Sequence, residues 1–203
     1  MDTAQLIEHF SRQESLPVDV NDVLELLKNN GFDDDIEFIG VEFDVDILQG
    51  QIKWAHGHPR PYADPIRYVN IYYHKGHDSD WQRYICCKEL LHLLDPESAR
   101  TTTAADIDLL AEKIGLPPEM QDPLNDGLAT NVDRAAEFRA AAVLLPFAAR
   151  ETLLPLYPDR LSIDDIARMA DIPRRYAAYV MSPFWPTVHA VLLGKPLNLH
   201  KPE

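Results

Sequence analysis

Hydrophobic positions along the chain change their period more than once. In residues 19–32, DVNDVLELLKNNGF, Val20, Val23, Leu24 and Leu27 recur at helical spacing, and Gly31 supplies a C-terminal stop. From Val41 the period drops to two. Val41, Phe43, Val45 and Ile47 share one side, while Glu42, Asp44 and Asp46 take the other, which predicts a half-buried strand with an acidic outer face. A turn at Gln49-Gly50 leads into QIKWAHG as a second strand. After a Pro-rich loop, IRYVNIYYH (66–74) is a third, rich in β-branched and aromatic residues.

The next helix is expected from about Asp80 to Leu94, with Asp78 or Ser79 as its cap. Helical spacing then dominates, over 104–114, 130–145, 148–156, 163–171, 174–181 and 186–193. The order is a helix, a short sheet, then helices. That predicts an α+β fold, with a small antiparallel sheet of about three strands packed against a mainly helical C-terminal half. We expect one domain over 1–203, with its core at about 19–181, an acidic N-terminal part and a Pro- and aromatic-containing tail.

Composition narrows the function classes. Of the net charge of −14, −11 falls in the first fifty residues, where thirteen Asp and Glu face only Arg12 and Lys28. Such a surface repels phosphate backbones, so no direct nucleic-acid partner is expected. The run LSIDDIARMADIPRRYAAYVM has helix-turn-helix spacing, but Arg174 and Arg175 are its only paired basic residues, and a packing helical hairpin is the better reading. SPFWPTVHAVLLG is read as packing on its own domain or as a partner contact. AAAVLLPFAA, the longest apolar run, is too short to cross a bilayer, and MDTAQLIEHF is polar from the start, so a cytoplasmic protein without membrane contact is expected. The two cysteines, Cys86 and Cys87, are adjacent and point to different sides of a helix, which makes no disulfide framework.

The candidate chemistry lies in YICCKELLHLLD (84–95). At about 100° per residue, Lys88, Glu89 and His92 share one helix face, whereas Cys86 and Cys87 point elsewhere. With His in place of Lys88 the run would read His-Glu-x-x-His, in which two His hold zinc and the Glu acts as base toward a metal-bound water. The triplet by itself is a common pattern of an amphipathic helix. Its context adds to it: three strands precede it, and DRAAEFRAAAVLLP (133–146) follows about forty residues later.

Together, RYICCKELLHLL (83–94), DRAAEFRAAAVLLP and the paired short helices after Pro146 resemble the ImmA/IrrE family of zinc peptidase-like domains over roughly 19–181. The resemblance implies a zincin-like fold, with Glu89 at the general-base position, His92 at the second His ligand and Asp133 at the third ligand. Lys88 replaces the first His, Leu91 stands for a small Gly, Glu137 falls where Asn is common, and Arg139 stands for Phe. A protonated Lys has no lone pair for a metal, which leaves His92 and Asp133 as ligands if zinc is bound at all. His74 and His77 in the preceding loop are the candidates to complete such a site.

We expect no cofactor, with Lys88 supplying a positive charge where the metal would sit, in a salt bridge to Asp133 or Glu89. Glu89 is then a vestigial base in a cleft of Lys88, Glu89, His92 and Asp133, and the protein binds a partner instead of cleaving one. The family resemblance implies a helix-turn-helix regulator as that partner. The alternatives are a zinc-dependent endopeptidase with a non-standard site and a purely structural interaction subunit.

Overall fold

The computed structural model describes residues 1–42, 49–57, 66–99, 104–114, 116–122 and 124–196. These form an α+β chain in which a three-stranded sheet is greatly outweighed by helices. They divide into two compact units, Asp19–Glu137 and a second unit made of Met1–Val18 and Phe138–Glu203. Among the described residues no helix is long and apolar enough to cross a membrane.

The second unit is helical. It opens with α1 (Thr3–Phe10), which the sequence reading did not anticipate. Asp2 and Gln5 close a reciprocal capping box there, and Leu6, Ile7 and Phe10 form the buried face. In the other unit, α2 (Val20–Asn29) is capped by Asp19 and ends just before Gly31, whose φ of +93° suits only glycine comfortably.

The sheet follows, with strands β1 (Asp35–Val41), β2 (Gly50–Gly57) and β3 (Ile66–His74) in the order β1-β3-β2. Two expectations are corrected here. The first strand begins earlier than predicted, because Ile36, Phe38, Ile39 and Val41 register against Tyr68–His74 of β3. Of the alternating stretch 41–47, residues 43–47 lie outside the described residues. The sheet is also mixed instead of antiparallel. β2 reverses the chain once, so β1 and β3 run the same way. With β3 in the middle, its pairing with β1 is parallel and its pairing with β2 antiparallel.

The helix that carries the candidate site, α3 (Ser79–Leu91), is buried on several sides at once, through Tyr84, Ile85, Cys87, Leu90 and Leu91. A helix apolar around much of its circumference belongs in a core. Asp78 is its N-cap residue, without a side-chain bond to the first turn. The expected extension to Leu94 stops at Leu91, where the chain tightens into a 3-10 turn over His92–Leu94. Beyond it, α4 (Ala104–Ile114) and α5 (Leu128–Leu144) complete this unit's helices, α5 only as far as Glu137. Tyr84 Oη donates to the Glu137 carbonyl, which fastens α3 to α5.

In the helical unit, α6 (Phe147–Leu153), α7 (Ile163–Ala170), α8 (Arg174–Met181) and α9 (Trp185–Leu192) follow the predicted spacing closely. The α7–α8 hairpin buries Ile166, Ala170, Tyr176 and Val180, and its Arg174 is paired with Asp164 at 2.8 Å. Buried Arg150 on α6 donates to the carbonyls of Val180 and Ser182, so the end of α8 gains the partners its own helix cannot give.

Candidate functional site

Helix α3 brings Lys88 and Glu89 to one face, and the turn after it keeps His92 on that face, because His92 still has helical backbone angles (φ −64°, ψ −13°). Asp133 arrives from α5, forty-five residues after Lys88. Lys88 Nζ donates to Asp133 Oδ1 at 2.6 Å and to Glu89 Oε1 at 3.2 Å. His92 Nε2 lies 3.4 Å from the same Asp133 oxygen. All four sequence-predicted cleft residues therefore meet at one point, and the Lys88 side chain is only 15% exposed.

The sequence reading missed Asp95. Its Oδ2 lies 2.5 Å from His92 Nδ1, which fixes the imidazole ring from the far side. The signal was present as the spacing His92-x-x-Asp95, one turn of chain.

The charges hold one another in their ionised forms. Burial alone would lower the Lys88 pKa, but the charges of Asp133 and Glu89 outweigh it and hold the group above the ordinary lysine value. Burial alone would raise the pKa of Asp133, but Lys88 and His92 hold it below the usual carboxylate range. Burial would likewise lower His92, yet its bonds to Asp133 and Asp95 raise it to about 9.

Donor atoms of Glu89, His92 and Asp133 all lie within 4.8 Å of one another, a span that admits a metal ion. The Lys88 ammonium, however, bonds the two carboxylates whose oxygens a metal would use, and as a cation it offers no lone pair. His74 and His77 do not join this group. Their rings pack against each other at 5.2 Å, and His77 stacks on Trp81. Cys86 and Cys87 are buried thiols that do not belong to this donor group.

A pocket with about 50 Å³ of free volume opens beside the cluster. Gln51, Glu89, His92, Asp95 and Asp133 supply its polar groups, while Ile52 and Trp54 of β2, Ile107 and Leu110 of α4, and Val132 of α5 supply apolar walls. Gly50 lets β2 approach: a Cβ there would fall 2.3 Å from Ile85 Cγ2 and 3.1 Å from Glu89 Cγ. These wall residues carry no motif, and nothing in their local sequence marks them as neighbours. No protein-family model matches the chain, and no curated protein matches it, so the family resemblance rests on the motifs and their order.

Proposed function

We propose that the chain is a metal-free relative of ImmA/IrrE-like peptidases, zincin-like in fold, that binds a protein partner in the cytoplasm without cleaving it. The observation that carries this reading is the Lys88 ammonium held between Asp133 Oδ1 and Glu89 Oε1, at 2.6 and 3.2 Å, beside His92. A fixed cation there neutralises carboxylates that would otherwise be buried unpaired, and buried charge is tolerated only with such compensation. Glu89, engaged by Lys88, is then a structural anion. The partner would be a helix-turn-helix regulator, which rests on the resemblance alone.

The test is zinc stoichiometry on untagged protein, for the natural chain and for Lys88→His. The natural chain is expected to hold none, and Lys88→His close to one zinc per chain. One zinc in the natural chain overturns the reading. A Lys88→His protein that folds but takes no zinc overturns the ancestry of the site.

The Glu89, His92 and Asp133 donors within 4.8 Å favour the second reading, a zinc-dependent endopeptidase. There Lys88 would swing aside, His92 and Asp133 would hold the metal and Glu89 would serve as base. Loss of peptide cleavage in Glu89→Gln would distinguish it.

A further inference from the structure

The pocket beside the cluster has a chemistry of its own. Three carboxylates, Glu89, Asp95 and Asp133, line it, and Lys88 does not. The bonds of Lys88 fall on Oε1 of Glu89 and Oδ1 of Asp133. Among the described residues, no hydrogen bond or ion pair reaches the second oxygen of either. Yet Glu89 and Asp133 are only 4% and 9% exposed. Neither oxygen is sealed off, so each stays open to a donor that enters the pocket.

Apolar walls flank this polar side, and a bare divalent cation would bring twice the charge beside the Lys88 ammonium that already holds both carboxylates. A neutral apolar group would leave the carboxylate oxygens without a donor. With about 50 Å³ of free space, the pocket suits the narrow end of a side chain better than a broad, planar guanidinium. What fits is a compact cation on an apolar stem.

We infer that this pocket binds a primary alkylammonium, with its head on Glu89 and Asp133 and its stem between Trp54, Leu110 and Val132. The source is a lysine side chain or the α-ammonium of a chain terminus on the partner. The inference rests on the metal-free reading, because a zinc ion would claim the same carboxylates. It extends that reading by naming the chemical group the partner inserts.

The experiment first measures zinc content, then titrates metal-free protein with n-butylammonium and with n-butanol, following the Trp54 indole N–H by NMR. Butylammonium is expected to bind at least tenfold more tightly than butanol. Leu110→Phe, which fills the pocket away from the charges, is expected to abolish binding while leaving the melting temperature close to that of the natural chain. N-acetyl-lysine methylamide and leucine methylamide separate the two sources, a side-chain ammonium and an α-ammonium; binding of either supports the inference.

Equal binding of butanol and butylammonium overturns it, as does binding that survives in Leu110→Phe. Butylammonium binding without either peptide-like probe also overturns it. Metal-free protein that binds none of the probes overturns the inference and leaves the metal-free reading standing. One zinc per chain overturns both.

Discussion

Lys88 Nζ lies 2.6 Å from Asp133 Oδ1, and this contact joins α3 to α5 across forty-five residues of chain. Both side chains are largely buried, so the pair is weakly screened and its loss is felt mainly as an uncompensated charge. Lys88→Met leaves Asp133 and Glu89 facing each other without their cation. A loss of about 3 kcal/mol is expected from urea unfolding, at the low end for a broken buried pair because His92 still faces Asp133. Lys88→Met combined with Asp133→Asn is expected to cost less than the sum of the singles, with a coupling of about 1–3 kcal/mol. Additive costs would mean that the contact contributes little.

The same cluster predicts a stability optimum on the acidic side of neutrality. His92 faces Asp95, Asp133, Glu89 and Lys88, and its pKa rises from 6.5 to about 9 on folding. Its contribution is therefore complete below about pH 6.5 and is lost as pH rises through 9, on the order of 3 kcal/mol at most. Asp133 works in the opposite direction. Its folded value lies below the ordinary 3.8, so its contribution is complete above that value and is lost as pH falls through the lowered one. Urea midpoints measured from pH 3 to 10 should be highest between about 4 and 6.5. His92→Gln should flatten the alkaline fall; an unchanged fall would place the titration elsewhere.

Much of this was legible in the sequence, for identifiable reasons. Helices α7 and α8 were readable because apolar spacing and turn residues agree there. The face shared by Lys88, Glu89 and His92 followed from helix geometry alone. The sheet was misread because strand order is a tertiary property: nothing within 35–57 states that β3 inserts between β1 and β2. By sequence Val41 begins a strand, because the alternation after it is clean. In the structure it ends one, since Ile36, Phe38 and Ile39 find partners on β3. Asp95 was overlooked although it stands one turn from His92. The pocket walls were beyond reach, since Trp54, Leu110 and Val132 meet only after three elements have packed.

The thiols offer a test of how deeply α3 is enclosed. Burial, helped by the charge of Glu89, pushes Cys86 up to about 12, and burial pushes Cys87 to about the same value. Thiolates are the reactive form, so at pH 8 both should resist a disulfide reagent in the native protein. Two thiols per chain should titrate rapidly in denaturing urea, and the slow native reaction should speed up in Lys88→Met as opening becomes easier. Rapid native labelling of either cysteine would contradict the enclosure of this helix.

Gly50 tests the approach of β2 to the site. A Cβ at this position would overlap Ile85 Cγ2 at 2.3 Å, a distance that forces one of the two elements to move. Gly50→Ala is expected to cost about 1–3 kcal/mol through overpacking. Ile85→Ala alone should also destabilise, because Ile85 is buried and leaves a cavity. In the double variant the new methyl group occupies part of that cavity, so its cost should fall below the sum of the two. Gly31→Ala serves as the contrast: its φ is +93° but nothing lies within 4 Å of an added Cβ, so its cost is backbone strain alone and Ile85→Ala should not offset it. If the Gly50 and Ile85 changes instead prove additive, the glycine is not there for the close packing of β2 on α3.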